Sequence, residues 1–367
     1  MSKLSIPSLT PFDAATRQTK RSYGSIDLTN SSGVPYAMPK TGFLGKITLN
    51  VGGTMTVTLG GGTAALDPIL GPWGILNRIV LSINGSKQVY NADGLMSYGL
   101  LNTLGEALTP DDGLNPTPAA HAASIYSVPV AAGANAWALP FVIPVAPNDD
   151  ELLGGFVNMY DALQASLTLT KPGAMYSTVP GVAPVLVTGA AVATFAGQAG
   201  VTAETFDIPA EQLAAFPPGG FLHVINQTQQ GISNVGEQTV KLENEGVYLQ
   251  ILHHLALNGA GSSTAFDALA LGSQFSYKHY DMTKAFVLWE QRMRYKRDLP
   301  AGFLDHNLFY QGDVNMGGWR DVFDAATVAD FRSFITISSG ATLGTNPTIR
   351  TLTRLLEPVP TSARPRV

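Results

Sequence analysis

The feature that most constrains this chain is the repeated order of β-type segments in its two halves. In the first half, an apolar, strand-like segment ends at Asn84-Gly85, and Leu167-Thr-Leu169 follows further along. In the second half, a similar segment ends at Asn258-Gly259, and Ile335-Thr-Ile337 follows. The corresponding landmarks are 174 and 168 residues apart, and this near-constant offset indicates two duplicated units. Each unit has the length of one β-sandwich domain.

The composition is typical of a subunit that neighbouring copies cover. Of the 367 residues, 13% are charged, against about 25% in an average soluble domain. Hydrophobic residues make up 45%, and there are 38 glycines and 24 prolines. A surface so poor in charge is expected if much of it is buried between copies. The composition therefore favours an assembly subunit.

Cysteine content and the first residues indicate the cellular compartment. The chain contains no cysteine, which excludes disulfides and thiolate metal sites. The N-terminal residues lack the apolar core of a signal peptide, so the sequence predicts synthesis and folding in a cytoplasm. Two charge-free segments, 113–148 and 172–203, are interrupted by proline and glycine. We expect buried strands and packed loops there, because a membrane-spanning helix needs about 20 uninterrupted apolar residues.

The net charge of −5 is unevenly distributed. Residues 1–24 and residues 340–367 each have a net charge of +3, which leaves −11 for the segment between them. Basic ends on an acidic body are expected if both termini meet an anionic surface, either lipid headgroups or nucleic acid. The alternative is that both ends are short, solvated tails, and the sequence leaves both interpretations open. The candidate residues for such a surface are Lys3, Arg17, Lys20, Arg21, Arg364 and Arg366.

Glycine pairs and capping residues predict several local elements. Gly52-Gly53 separates two alternating segments and predicts a hairpin, and Asn84-Gly85-Ser86 predicts another. Asp93 predicts the start of a helix that extends to residue 104, because the apolar residues that follow have helical spacing. Asp281 is likewise predicted to cap a helix, with cations in its last turns.

The sequence contains none of the common catalytic motifs. It has no nucleophile elbow, no His-Glu-x-x-His and no phosphate-binding loop, so we predict no catalytic residue, no cofactor and no enzymatic activity. His253 and His254 are adjacent in a predicted strand, where their side chains point to opposite faces, which favours structural roles over a shared metal. An enzyme would need a cleft that joins Asp305 and Asp313 with His306.

One segment partly matches a calcium loop. Asp313, Asn315 and Asp324 occupy the first, third and twelfth positions, but Gly317 removes the fifth ligand and Asp324 is shorter than the usual glutamate. A surface turn before a helix explains the same residues. We therefore predict no metal site. If calcium did bind, Asp313, Asn315 and Asp324 would be its candidate ligands.

Two segments have the local character of opening jelly-roll strands. Gly42-Phe-Leu-Gly-Lys-Ile-Thr-Leu-Asn50 and Gly74-Ile-Leu-Asn-Arg-Ile-Val-Leu-Ser-Ile-Asn-Gly85 resemble such strands of phage capsid proteins. Together with the two cysteine-free β-rich units and their charge-free linker, the chain resembles the double jelly-roll major capsid proteins of tailless icosahedral viruses, especially bacteriophages with an internal membrane. The resemblance extends from about residue 22 to residue 357.

The resemblance implies an all-β fold with a few helices, built from two tandem eight-stranded jelly-roll sandwiches. The implied division is an N-terminal arm (1–24), a first jelly roll with a connecting segment (25–203), a second jelly roll (204–357) and a C-terminal tail (358–367).

The resemblance also implies a function in assembly. Three copies are expected to form a trimer of pseudo-hexameric outline that tiles the shell of a virion assembled in the host cytoplasm. The implied partners are neighbouring capsomers, minor capsid or vertex proteins, and the lipid headgroups of an internal membrane facing the basic termini, with no specific nucleic-acid sequence. The alternative is a phage spike or a receptor- or carbohydrate-binding β-sandwich module, with loops 105–136 and 260–275 as its binding surface.

Overall fold

The computed structural model describes residues 17–40, 42–104, 126–147, 156–157, 164–178, 185–207, 221–273, 277–308 and 322–358. These residues form mainly β-strands, with two α-helices, α1 (Gly94–Thr103) and α2 (Lys284–Tyr295). Two short 3-10 helices span Gly71–Ile75 and Ala325–Thr327.

The first half of the chain contributes twelve strands within the described residues. They are β1 (Arg17–Asp27), β2 (Tyr36–Ala37), β3 (Phe43–Leu59), β4 (Ala65–Leu66), β5 (Arg78–Ile83), β6 (Lys87–Ala92), β7 (Gly133–Pro144), β8 (Phe156–Val157), β9 (Ala165–Thr170), β10 (Tyr176–Ser177), β11 (Val187–Thr188) and β12 (Ala190–Asp207).

The second half contributes ten more. They are β13 (Phe221–Gly231), β14 (Gly236–Lys241), β15 (Val247–Leu257), β16 (Ala260–Gly261), β17 (Phe266–Ser273), β18 (Tyr277–Thr283), β19 (Phe303–Asn307), β20 (Phe323–Asp324), β21 (Arg332–Ile337) and β22 (Thr348–Pro358).

Each half forms a sandwich of two four-stranded sheets. In the first, the sheet β1-β12-β3-β7 lies opposite β2-β9-β5-β6; in the second, β14-β21-β17-β18 lies opposite β13-β22-β15-β19. Short strands add to these sheets: β8 pairs with β3, and β16 and β20 pair with β15. The predicted plan of two eight-stranded sandwiches is confirmed.

The strand β3 is continuous through Gly52-Gly53, so the hairpin predicted there is wrong. Every second side chain faces inward on both sides of the glycine pair, from Leu49 and Val51 to Met55. A Cβ on Gly53 would lie 2.5 Å from the carbonyl oxygen of Ala196 on the neighbouring strand. The glycine allows close approach of two backbones, which is the other role of glycine in a strand.

The predicted turn after β5 and the predicted first helix are both confirmed. Asn84 and Gly85 have φ values of 53° and 68°, and the Ser86 N–H donates to the Ile83 carbonyl oxygen at 3.2 Å, so both central positions of the turn are left-handed. The Asp93 carboxylate accepts a hydrogen bond from the Met96 N–H at 2.7 Å, so it caps α1. All ten residues of α1 are buried, as expected for a helix enclosed on every side.

The two sandwiches share one sheet. Strand β6 of the first pairs in parallel with β13 of the second, with Tyr90 opposite Ile225. The side chain of Asn91 donates to Asn226 at 3.1 Å across this junction. Helix α1 lies against the second sandwich, where Gly99 contacts the ring of Phe303 so closely that a Cβ would overlap it. One continuous apolar core extends through both units.

The strand pairing also revises two details of the predicted division. Residues 17–24, assigned to an arm, belong to β1 and pair with β12. Residues 204–207, assigned to the second unit, continue β12 in the first sandwich. The other bounds of the division remain predictions.

The repeat landmarks are not topologically equivalent. Strand β9, with Leu167-Thr-Leu169, pairs directly with β5, whereas β21, with Ile335-Thr-Ile337, lies in the sheet opposite β15. The two halves share an architecture, but the equal offset does not mark equivalent strands.

Candidate assembly surface and internal polar network

Helix α2 begins two residues later than predicted. Its N-cap is Thr283, with no side-chain capping bond, while Asp281 lies in β18 opposite Ala270. The capping prediction for Asp281 is therefore wrong. Strand β18 continues to Thr283, past the predicted start of the helix, because it is paired with β17 along its whole length.

Helix α2 exposes a stripe of large apolar side chains. Phe286, Trp289 and Met293 lie at positions i, i+3 and i+7 and are 48%, 56% and 52% exposed. The rings of Phe286 and Trp289 are 5.5 Å apart. Only Val287 and Gln291 of this helix are buried. We call Phe286, Trp289 and Met293 the α2 stripe.

The cations near the α2 stripe are paired within the chain. Arg292 binds Asp298 in a two-pronged contact, with Nε at 2.9 Å and Nη2 at 2.5 Å. Arg294 binds Glu290 one turn earlier at 2.7 Å. These pairs agree with the predicted cluster of cations in the last turns of the helix.

A groove of 470 Å³ lies beside the same helix. The aromatic ring of Trp289 forms one wall, and Leu288, Leu299 and Phe303 form much of the remainder. Trp289 belongs to both the α2 stripe and the groove, whose lining also includes polar residues such as Gln291 and Asp298.

The basic termini are only partly within the described residues. The side chain of Lys20 is 63% exposed and forms an ion pair with the buried Glu204, and Arg21 is exposed on the same strand. For Arg17 the backbone alone is described, and Lys3, Arg364 and Arg366 lie outside the described residues. Because Glu204 neutralises Lys20, the local positive charge at β1 is smaller than the residue count predicts.

Asp324 has a structural role. Its Oδ1 accepts a hydrogen bond from the Ala326 N–H at 3.1 Å and caps the 3-10 helix that follows. Asp313 and Asn315 lie outside the described residues, so the calcium candidate stays a prediction. Among the residues that the structure covers, there is no cluster of three or more histidine or carboxylate ligands that could hold a metal.

The second sandwich contains a buried network of polar side chains. The guanidinium of Arg354 donates to Gln250 Oε1 at 3.0 Å and to Nε2 of His223 at 3.4 Å. Gln250 in turn donates to Asp305 at 2.9 Å, and Tyr295 donates to the other oxygen of that carboxylate. Every member joins two others or the backbone, which is what a buried network needs to be stable.

Burial sets the protonation states in this network. Desolvation raises the pKa of Asp305 to about 6, although hydrogen bonds from Tyr295 and Gln250 act against it. Desolvation and the charge of Arg354 hold the pKa of His223 well below its usual range, so that its Nε2 is free to accept. Desolvation lowers the pKa of Arg354 to about 10, and it remains charged at neutral pH.

His253 and His254 are both buried in the second sandwich. His253 is hydrogen-bonded to Thr351 at 2.9 Å and to Ser333 at 2.8 Å, and burial lowers its pKa to about 3. Burial lowers the pKa of His254 to about 3 as well.

Asp305 and His306, two of the three residues that an enzymatic cleft would need, are enclosed in the second sandwich and do not line a cleft. They are 4% and 3% exposed, and the Asp305 carboxylate is occupied by Gln250 and Tyr295. The third member, Asp313, lies outside the described residues.

The α2 stripe and the network were not predicted from the sequence. The stripe could have been predicted, because its large apolar residues have i, i+3, i+7 spacing on a different face of the helix from Val287. The network joins residues more than 100 positions apart, such as Gln250 and Arg354, and had no local signal. None of the helices in the described part of the chain is long and apolar enough to cross a membrane.

Solved structures resemble this chain along nearly its whole length. The crystal structure of the STIV MCP, the major capsid protein of Sulfolobus Turreted Icosahedral Virus, matches with a TM-score of 0.66 at 12% identity, covering 94% of this chain and 97% of that chain. A quasi-atomic model of the PBCV-1 virus capsid matches with a TM-score of 0.61 at 10% identity, covering 93% and 94%. The major capsid protein P2 from bacteriophage PM2 matches with a TM-score of 0.55 at 9% identity, covering 93% and 97%.

These similarities establish the fold. No protein-family model matches the sequence, and no curated protein is significantly similar to it. The chain has the double jelly-roll fold that these capsid proteins share, and the predicted fold class is confirmed.

Proposed function

We propose that this chain is a viral major capsid protein, the structural subunit of an icosahedral virion shell. The observation that supports this most strongly is the double jelly-roll fold, which matches capsid structures of Sulfolobus Turreted Icosahedral Virus, PBCV-1 and bacteriophage PM2 over more than nine-tenths of the chain. Its function is then assembly rather than catalysis, and its site of action is the virion capsid.

We propose further that three copies form a trimer of pseudo-hexameric outline, with two sandwiches from each copy. The α2 stripe supports a contact between copies, because three large apolar side chains are about half exposed on one helix. The neighbouring cations Arg292 and Arg294 are already neutralised by Asp298 and Glu290. A surface that is apolar and locally neutral can meet a second copy without repulsion between like charges.

The partners in this proposal are neighbouring capsomers and minor capsid or vertex proteins. The basic termini, including Lys20 and Arg21, are proposed to face an anionic surface such as internal membrane headgroups. Assembly is proposed to take place in the host cytoplasm.

The solution mass of the purified chain, measured by sedimentation velocity, tests this proposal. We expect a stable species with three times the 38.7 kDa chain mass. Trp289→Glu places a charge in the α2 stripe and should shift this species to monomer, because an unpaired charge is costly at a buried contact.

A matched control uses an exposed apolar residue away from α2. Val34 is 70% exposed, and Val34→Glu should leave the trimer intact. A strict monomer for the unmodified chain at high concentration would contradict the proposal and favour the spike or binding-module alternative. An intact trimer in Trp289→Glu would remove the α2 stripe from the interface.

A further inference from the structure

The junction between the two sandwiches of one chain consists of a strand pairing and a docked helix. Strand β6 pairs in parallel with β13, with Asn91 opposite Asn226. Helix α1, which follows β6, contacts β15 and β22 of the sheet that β13 begins. Every residue of β15 is buried, which means that both faces of this sheet are covered there. The second sandwich therefore receives a strand edge and a helix from the first.

The second sandwich contains the counterparts of that strand and that helix. Strand β18 leads into α2 as β6 leads into α1. Each strand has a one-residue bulge, at Val89 in β6 and at His279 in β18, and each helix has its N-cap four residues after the bulge. Asp281 of β18 therefore corresponds to Asn91 of β6.

The first sandwich contains the counterpart of the receiving edge. Strand β1 lies beside β12 as β13 lies beside β22. The register follows from a second pair of bulges, at Gly45 in β3 and at Leu249 in β15. The carbonyl oxygens of both bulged residues accept from the first N–H after the next strand, which is β7 in one unit and β19 in the other. Counting across the sheets from these bulges, Arg21 of β1 corresponds to Asn226 of β13.

The sheet face that α1 covers in the second sandwich is open in the first. The same counting makes Pro140 of β7 the counterpart of Phe303, the residue that Gly99 of α1 contacts. Phe303 is 1% exposed, whereas Pro140 is partly exposed and Asn50 beside it is exposed. Trp289 of the α2 stripe occupies the position of Gly99, six residues after the N-cap. A large residue on the helix is thus matched with a small one on the open face, the reverse of the pair within the chain.

We propose that the junction within the chain is repeated between copies, so that β18 and α2 of one copy dock on β1 and on the open face of β3 and β7 in the next copy. Among the described residues, β18 pairs only with β17 and β1 only with β12, so each has a free edge that a second strand can join. Asp281 then lies opposite Arg21 of the next copy, and an ion pair replaces the hydrogen bond between Asn91 and Asn226. Both charged residues are exposed in the single chain.

This inference rests on the proposed trimer and names the two surfaces that hold it together. The contact joins different surfaces of two copies, so it is a head-to-tail contact of the kind that closes into a ring. The α2 stripe then has a defined occupant, the open face of the next copy. Arg21 is used between copies, which leaves the proposed anionic contact to the other basic residues near the termini.

Disulfide trapping tests the register of this contact, because the chain has no cysteine of its own. Arg21→Cys combined with Asp281→Cys should cross-link copies on mild oxidation, since paired strands lie about 4.8 Å apart, which a disulfide can span. Non-reducing electrophoresis should show covalent two-chain and three-chain products, whereas a bond within one chain would leave the mass unchanged. Ser25→Cys with Asp281→Cys is the matched control. Ser25 is exposed on β1 but lies about 10 Å or more further along it, so this variant should not cross-link.

Charge reversal tests the ion pair without a covalent bond. Asp281→Arg should raise the concentration at which the trimer dissociates at least tenfold in sedimentation, because it places two guanidinium groups opposite each other. Adding Arg21→Asp to the same chain restores an opposite pair and should return this concentration close to that of the unmodified chain. Both side chains are exposed in the single chain, so the reversals should leave its fold unchanged.

The outcomes separate this inference from the proposed function. A trimer that forms in the unmodified chain, but with no cross-link at 21 and 281 or with equal cross-linking in the control, would overturn the inference and leave the capsid assignment standing. A double reversal that dissociates as readily as Asp281→Arg alone would also overturn it. A strict monomer of the unmodified chain would overturn both.

Discussion

The two sandwiches have the same strand plan but different interiors. Within the described residues, the first buries apolar side chains such as Trp73, Trp137 and Phe195, and its buried charged groups each have separate local partners. The second buries four histidines, two arginines and an aspartate, several of which form one network: His223, His253, His254, His306, Arg350, Arg354 and Asp305. One architecture therefore accommodates a mainly apolar interior in one copy and many buried polar and charged side chains in the other. Some of these are hydrogen-bonded to one another, and others, such as Nδ1 of His254, have no partner among the described residues.

This difference predicts that acid destabilises the second sandwich first. His253 and His254 have pKa values lowered by burial to about 3, so below about pH 6.5 the unfolded chain binds protons that the folded chain does not. Each such histidine should reduce the free energy of unfolding by about 1.4 kcal/mol per pH unit as the pH falls from about 6.5 towards 3. Hydrogen exchange measured by mass spectrometry between pH 7 and pH 4.5 should show β15 and β22 losing protection before β3 and β12.

Asp305 acts in the opposite direction and sharpens this test. Its folded pKa is raised to about 6, so it contributes stability that is lost as the pH rises through 6 and is present at lower pH. Four buried histidines outweigh this single carboxyl. In His253→Gln, unfolding should take up one proton fewer, so the free energy of unfolding should fall less steeply as the pH falls. Earlier loss of protection in the first sandwich than in the second would contradict the comparison.

Breaking the network at its charged centre should have the next largest effect. Arg354→Met removes the donors to Gln250 and His223 and one of the positive charges near Asp305, the other being Arg294. Removing one partner from a buried charged network typically costs about 3–5 kcal/mol. Urea denaturation should show this loss, while Arg292→Met, at an exposed ion pair, should leave the midpoint unchanged. An unchanged midpoint for Arg354→Met would mean that the network does not stabilise the fold.

The first sandwich should instead be sensitive to volume. A Cβ on Gly53 would lie 2.6 Å from Cα of Gly197 and 2.8 Å from the ring of Phe195, so Gly53→Ala overpacks the contact between β3 and β12. We expect a loss of about 1–3 kcal/mol in urea denaturation. Gly52→Ala is the matched control, because its Cβ would meet only one atom, at 3.9 Å, and it should be neutral or slightly stabilising. Equal effects of the two variants would refute the close-approach role of Gly53.

The smallest expected effects come from a turn that both sandwiches share. Asn84 and Asn258 have φ values of 53° and 49°, and the glycine that follows each of them also has a positive φ, so each turn has two left-handed positions. Asn84→Ala and Asn258→Ala should each cost about 1 kcal/mol, because alanine tolerates the left-handed region less well. Thermal unfolding of the two variants should give similar shifts. A large difference would show that the turns depend on their surroundings.

The parts of the fold that local patterns determine were predictable from the sequence. Alternating residues in β3, the Asn84-Gly85 turn and the Asp93 cap each have a local physical cause. Gly52-Gly53 was misassigned because a glycine pair serves a turn and a close backbone approach equally well. Asp281 was misassigned because pairing of β18 with β17 overrides a local capping signal. The network around Arg354 was not predictable, because it depends on contacts between distant strands.

The most direct test of the central proposal is single-particle electron microscopy of the purified oligomer. The proposal predicts a threefold particle in which three copies, each with two upright sandwiches, produce a pseudo-sixfold outline. A twofold dimer, or a ring without six comparable lobes, would contradict the assignment of this chain as the subunit of a double jelly-roll capsid.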